Sequence, residues 1–124
     1  MTDTFVFDTY ALIELIEGNP AYLKYANAKM IINEFIFAEF CYAGIKRYRD
    51  YPVEAEQKSR SVMESISAIL PEEIMKAMKF RFSNRKKEVS TTDCVSYIQA
   101  QQLGIPFLTG DGAFEGMHGV EFVR

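Results

Sequence analysis

The sequence predicts an α/β protein whose parallel sheet lies between layers of helices. Three observations predict it. Short apolar runs of strand length alternate with longer stretches of helical spacing along the whole chain. The runs are apolar at successive positions, as in strands buried on both faces. The length, 124 residues, is enough for one proper core, so residues 1–124 are expected to form one domain.

Residues 4–7, Thr-Phe-Val-Phe, read as the first strand, with Asp8 at its carboxyl end. Leu12, Ile13, Leu15 and Ile16 then recur at helical spacing over residues 10–17, and Gly18-Asn19-Pro20 stops that helix. A short helix is expected over 22–28 and a second buried strand over 30–32. Asn33-Glu34 caps a helix over about 35–49. Tyr51-Pro52 breaks the chain before a polar helix over 53–63. Residues 66–70 read as a third strand ended by Pro71. Glu72 and Glu73 favour the start of a helix that runs to about Lys87, its basic residues toward the far end as the macrodipole prefers. The last long helix covers 90–103, with Gly104 as its stop. Strands are expected at 105–109 and 119–123, five in all. No repeat, linker or low-complexity segment interrupts this order.

Composition excludes some classes and suggests a partner. The chain is 48% hydrophobic and 25% charged, ordinary for a globular protein. No apolar run approaches the roughly 18 residues that span a bilayer. The start, Met-Thr-Asp-Thr-Phe, lacks the basic segment of a signal peptide, so a cytoplasmic protein without membrane association is expected. Cys41 and Cys94 are expected to be reduced, buried and unreactive, and His118 lies in a Gly-rich tail away from the acids. The net charge is −3, but it is segregated. Lys76, Lys79, Arg81, Arg85, Lys86 and Lys87 fall in one stretch without an acid. Such a stretch creates a local positive field. It reads either as a solvated helix face or, beside an acidic site, as a track for a phosphate backbone, with Arg81, Arg85, Lys86 and Lys87 as the candidate contacts.

Four acids carry the chemistry. Asp8 and Asp111 follow strands, Asp93 lies in the first turn of a helix, and Glu39 interrupts the apolar run from Phe35 to Ala43. Each of the three aspartates has a structural explanation. Asp8 can cap the following helix, Asp93 stands three residues after Ser90 as in a capping box, and Asp111 sits in a Gly-Asp-Gly turn. Glu39 has none, because caps and turns do not occur in mid-helix. In an open parallel sheet the strand ends share one edge, and carboxylates gathered there repel strongly. Two unit charges about 4 Å apart interact by roughly 4 kcal/mol at an effective dielectric near 20. Either some are protonated or a cation neutralises them. An oxygen-only set without His or Cys points to Mg²⁺ or Mn²⁺, which suits hydrolysis of a phosphodiester by activated water. Thr9, Thr109 and Glu115 are candidate accessories. The remaining acids, among them Glu14, Glu17, Glu54, Glu56 and Glu121, read as solvated surface. Tyr42, Tyr48, Phe80 and Phe82 suit bases, an interface or the core equally.

These residues resemble the PIN-domain family, especially the small VapC-type toxins of prokaryotic toxin–antitoxin pairs. The resemblance rests on four motifs in order: Phe7-Asp8-Thr9-Tyr10, Phe37-Ala38-Glu39-Phe40, Ser90-Thr91-Thr92-Asp93-Cys94, and the run from Gly104 through Thr109-Gly110-Asp111 to Phe114. It covers essentially the whole chain. It implies a PIN-like three-layer α/β/α fold with a central five-stranded parallel sheet, and a Mg²⁺- or Mn²⁺-dependent ribonuclease. It implies that Asp8, Glu39, Asp93 and Asp111 are the catalytic, metal-binding acids. It further implies a homodimer restrained by a cognate antitoxin peptide. Tyr10 departs from the small Ser or Asn common there. Two other readings compete: a PIN-like nuclease of RNA processing or structured DNA, and a catalytically silent binding module. The pattern does not fit a two-component receiver, which needs an acid pair ending the first strand and a Lys ending the last.

Overall fold

The strand β1 (Thr4–Phe7) occupies the middle of the sheet in the computed structural model, which describes residues 3–124. Phe5, Val6 and Phe7 are all buried, so β1 has no solvent face, as its unbroken apolar run requires. β2 (Lys29–Ile31) pairs with one edge of β1 and β3 (Phe107–Thr109) with the other, and β4 (Val120–Phe122) lies beyond β3. Every pairing is parallel. Phe7 stands opposite Leu108, and the Asp8 amide donates to the Leu108 carbonyl at 2.9 Å. Asp8 and Thr109 therefore leave the sheet side by side at its carboxyl edge.

Among the described residues five α-helices surround the sheet, each with a local reason to start. Asp8 caps α1 (Thr9–Ile16), Asn33 caps α2 (Glu34–Arg47) and Ser90 caps α5 (Thr91–Leu103). Proline opens α3 (Pro52–Arg60) and α4 (Pro71–Ser83), where its missing N–H costs nothing. α5 ends at Gly104 with φ +70°, a left-handed stop that glycine adopts without strain. α5 is buried almost all round from Thr92 to Ala100, packed against α4 on one side and against β1 and β3 on the other. On this side the rings of Phe80, Tyr97, Phe107 and Phe114 pack together at centroid distances of 5.0–6.2 Å, which assigns Phe80 to the core. No helix among the described residues is long and apolar enough to cross a membrane.

Among the described residues the sheet has four strands where the sequence suggests five. The expected third strand, 66–70, contributes a single parallel bridge from Ile66 to Ile32. The cause is local. Ile32 exchanges bonds with Ser65 and Ser67 at 2.9 and 2.8 Å, and then Asn33 turns the partner chain into α2. The segment's remaining groups find side chains instead. The Ser67 carbonyl accepts from Gln99 at 3.3 Å, and the Ile69 amide donates to Glu34 at 3.0 Å.

Other boundaries also move. Residues 22–28, expected as a helix, form a 3₁₀ helix at Pro20–Tyr25. The helix expected over 53–63 is α3 followed by a separate 3₁₀ turn, Met63–Ser65. α4 stops at Ser83 rather than near Lys87, and Arg85–Lys87 form a 3₁₀ turn of their own. Glu88 then turns the chain with φ +56°. Both cysteines are free, with Cys94 buried but Cys41 only half-buried.

One buried polar network locks this arrangement. The Asn33 carbonyl oxygen accepts the amides of Phe35 and Ile36, both at 3.0 Å. Its side-chain nitrogen donates to Ser96 at 3.0 Å and to Gln99 at 2.9 Å. Asn33 thus caps α2, holds α5 and, through Gln99, fixes the bridge segment. Asn33→Ala is expected to cost about 3 kcal/mol, the sum of a lost cap and of buried groups left unpaired. Urea unfolding reads this as a lower midpoint at an unchanged slope.

Candidate active site

Asp8 is built into the backbone of three elements. It is 2% exposed. One carboxylate oxygen accepts the Ala11 amide at 2.6 Å, which caps α1. The other accepts the Thr109 hydroxyl and, at 3.3 Å, the Gly110 amide. Burial pushes its pKa up to about 6 against the pull of these three donors, and the charge of Asp111 adds to the rise.

Thr109 extends this arrangement to the next acid. While its hydroxyl donates to Asp8, the same oxygen accepts the Asp111 amide at 3.0 Å. Asp111 in turn accepts the Ala113 amide at 2.9 Å and caps the short 3₁₀ turn Gly112–Phe114. The turn reading and the site reading of Asp111 are therefore compatible.

Asp93 enters from the first turn of α5. Its amide donates to Ser90 at 3.0 Å, so half of a capping box is formed. No return bond from the Asp93 carboxyl to the Ser90 amide completes it among the described residues. The carboxyl instead lies in the field of Asp8 and Asp111. Burial raises its pKa to about 8, reinforced by the charges of Asp8 and Asp111, the hydrogen bond with Asp111 and the charge of Glu39. The four acids thus share one electrostatic neighbourhood although they come from four separate parts of the chain.

Glu39 sits at the outer side of that neighbourhood. The sequence suggests a carboxylate trapped in an apolar helix face. Instead α2 buries Ile36 and Phe40, one turn apart, and turns Ala38 and Glu39 to solvent. Glu39 therefore carries no burial cost. It accepts the Thr9 hydroxyl at 2.6 Å, which joins the start of α1 to the middle of α2. Glu115 is exposed and is not among the charges acting on Asp8 or Asp93. Among the described residues no three acids, histidines or cysteines close around one point as a finished cage for an ion.

The basic stretch borders the acids at two places. Arg81 donates to the Val89 carbonyl at 3.2 Å and to the Thr91 hydroxyl at 2.8 Å, at the start of the helix that carries Asp93. Lys87 reaches the Ala113 carbonyl at 3.5 Å, on the turn that follows Asp111. Arg85 and Lys86 are exposed. Tyr48 is structural, since its hydroxyl donates to Glu17 at 2.8 Å. Tyr42 and Phe82 are exposed. Four acids read as free surface have partners: Glu14 accepts from the Asn19 side chain at 2.9 Å, Glu17 also pairs with Arg47 at 2.9 Å, Glu56 pairs with Arg60 at 3.5 Å, and Glu121 accepts the Tyr25 hydroxyl.

Gly110 is a contributor that its place in a Gly-Asp-Gly turn concealed. Its amide serves Asp8, and a Cβ there would lie 2.3 and 2.4 Å from carbons of the Tyr10 ring. The bulk of Tyr10 thus fits against a residue without a side chain. Only the two positions together reveal this, and they are far apart in sequence.

The family model described as PIN domain matches residues 5–119. No curated protein sequence matches significantly. Among solved structures the chain resembles a toxin–antitoxin complex from Klebsiella pneumoniae, with 22% identity, a TM-score of 0.73, and coverage of 94% of this chain and 95% of that one. It also resembles VapBC2 from Rickettsia felis bound to a DNA fragment from their promoter, with 14% identity, a TM-score of 0.74, and 98% and 99% coverage. A third resemblance is to DNA-bound VapBC from Salmonella typhimurium, with 16% identity, a TM-score of 0.74, and 98% and 97% coverage.

Two outcomes are expected from this geometry. The folded state holds protons on Asp8 and Asp93 that the unfolded chain has already released, because both pKa values are raised from 3.8, to about 6 and about 8. Without metal, stability should be greatest below about pH 4 as far as these two groups are concerned. It should fall as pH rises toward 8. Each kcal/mol lost lowers the melting temperature by about 4 °C in a chain of this size. Asp93→Asn should flatten the decline between pH 6 and 8, read by thermal melts across pH. Secondly, Gly110→Ala should destabilise by about 1–3 kcal/mol through overpacking, and Tyr10→Ser in the same chain should recover most of that loss, read by denaturant titration of the single and double variants.

Proposed function

The chain belongs to the PIN-domain family, and from that premise we propose that it is a metal-dependent endoribonuclease, the toxin of a toxin–antitoxin pair. The observation that carries the nuclease reading is the meeting of Asp8, Asp93, Asp111 and Glu39 at the carboxyl edge of the sheet. Burial, reinforced by the neighbouring charges, lifts Asp93 to about 8. Carboxylates in this state favour whatever positive charge replaces the retained proton. The donors are oxygens only, which fits a hard divalent ion such as Mg²⁺ or Mn²⁺.

Asp8, Asp93 and Asp111 would hold the ion, with Glu39 at the open side. When bound, it supplies an acidified water and stabilises charge on the phosphate and the leaving oxygen. The protein's part is positioning. The Ala11, Thr109 and Gly110 donors fix Asp8, so its oxygens need no reorganisation as charge develops. The Thr109 hydroxyl sets the spacing between Asp8 and the Asp111 turn. Thr9 holds Glu39 beside them. Attack by water on phosphorus breaks one phosphorus–oxygen bond of the backbone and leaves a phosphate and a hydroxyl end. The basic residues at Arg81 and at 85–87 support a polyanionic substrate along the rim.

The solved structures the chain resembles are described as toxin–antitoxin and VapBC complexes, which supports a cognate antitoxin as partner. An apolar cleft of about 540 Å³ between α2 and α3, lined by Phe37, Cys41, Ile45, Ala55 and Met63, supports docking of an amphipathic segment of an antitoxin. A homodimer belongs to the same proposal.

A panel of tRNA, rRNA fragments and single-stranded RNA tests the activity, with Mn²⁺, with EDTA and with Asp93→Asn. The expected result is Mn²⁺-dependent cleavage that EDTA abolishes and that Asp93→Asn lowers by about 100-fold or more. The variant should keep its fold by circular dichroism. Cleavage indifferent to EDTA and to Asp93→Asn would overturn the metal-site reading. Absence of both cleavage and metal binding would leave a silent binding module.

A further inference from the structure

Phe82 is the large apolar residue that α4 leaves most conspicuously to solvent, at 67% exposure. It is not left bare. The Arg85 guanidinium lies 4.3 Å from its ring centroid, and the same guanidinium donates to the Phe82 carbonyl at 2.9 Å. The second bond holds the cation against the ring and removes much of its rotational freedom. The pair opens onto a cleft of about 520 Å³ that is walled by Met78, Arg81 and Val89 and reaches Ser90, with Glu88 as its single acid. The volume lies within the roughly 300–1,000 Å³ of small-ligand sites. Two arginines against one glutamate leave it net positive.

The cleft leads to the acids. Ser90 lines it and also caps the helix that presents Asp93. Ser90 and Asp93 are one helical turn apart, about 5 Å along the axis. Arg81, which lines the cleft, is bonded to Val89 and Thr91 at the start of that helix. The cleft therefore borders the helix start that carries Asp93. The guanidinium covers one face of the ring; the other face, or the planar guanidinium itself, suits the flat face of any unpaired base, while the arginines suit the phosphates on either side.

Resting on the nuclease reading above, we propose that Phe82 and Arg85 form a stacking platform for one unpaired base of single-stranded RNA, next to the phosphate held at the acids. Phe82 sets a requirement for an unpaired base near the cleaved bond and discriminates against duplex.

The sequence contains no tryptophan, so Phe82→Trp makes the full chain its own reporter. A non-cleavable arrangement, with EDTA present, separates binding from catalysis. Single-stranded oligouridine and oligoadenine should quench the emission of Phe82→Trp. An abasic oligomer of equal charge and a blunt RNA duplex should not. Phe82→Leu, which keeps an apolar side chain without a π face, should weaken oligonucleotide binding by about tenfold or more and leave abasic binding unchanged. Phe82→Tyr should bind as the wild type does. If RNA binds and is cleaved while the Phe82→Trp emission stays constant and Phe82→Leu binds normally, the platform is wrong and the nuclease reading stands. If the wild-type chain neither binds nor cleaves RNA, both fall. Emission that depends on protein concentration, with no response to RNA, would assign Phe82 to a contact between copies and overturn the platform.

Discussion

A single buried carboxylate ties the sheet to the site. Asp8 ends β1, caps α1 and accepts from the residue that ends β3 and from the one after it. Its three donors come from segments about a hundred residues apart in sequence. The cost of burying a carboxyl is offset only if all three are in place. The parallel pairing of β1 with β3, the direction in which α1 leaves the sheet and the spacing of Thr109 from Asp8 are therefore one constraint. A slip of one residue in that pairing would remove the Thr109 and Gly110 donors and strand the charge.

The other acids are arranged around Asp8 with graded exposure. Asp93 is partly buried and bears the repulsion. Asp111 is tied by its own backbone turn, and Glu39 reaches in from solvent with only a threonine hydroxyl to hold it. Burial raises both acids: Asp8, with three donors pulling it down, rises to about 6, whereas Asp93 rises to about 8 with the neighbouring charges adding to the rise.

The motifs made the site legible because each acid marks a structural boundary. Strand ends and a helix cap leave strong local signals, so Asp8, Asp93 and Asp111 and their common edge followed from pattern alone. Glu39 was legible as a residue but not in its environment. Apolar neighbours in sequence suggested burial, yet only Ile36 and Phe40 of that run face fully inward. Residues 66–70 had strand composition and lost strand pairing because Asn33 turns its neighbour away, a decision made by a network with Ser96 and Gln99 over sixty residues distant. The fit of Tyr10 against Gly110 and the pairing of Glu17 and Glu121 are likewise tertiary facts, without a local signature.

The end of α4 shows how such a departure bears on function. A helix continued to Lys87 would have carried the last three basic residues onward along its axis, about 1.5 Å per residue. Asn84 instead closes the helix, its side chain donating to the Phe80 carbonyl at 2.9 Å, and the chain doubles back. This return requires Glu88 at φ +56°, a conformation that costs a residue with a Cβ about 1–2 kcal/mol. What it achieves is position: Lys87 comes to Ala113 beside the Asp111 turn, and Arg85 folds over Phe82. Opposite charges are thus brought to one rim without neutralising one another, since Lys87 and Arg85 spend bonds on carbonyl oxygens rather than on the carboxylates. Among the described residues no direct salt bridge joins these basic residues to the four acids.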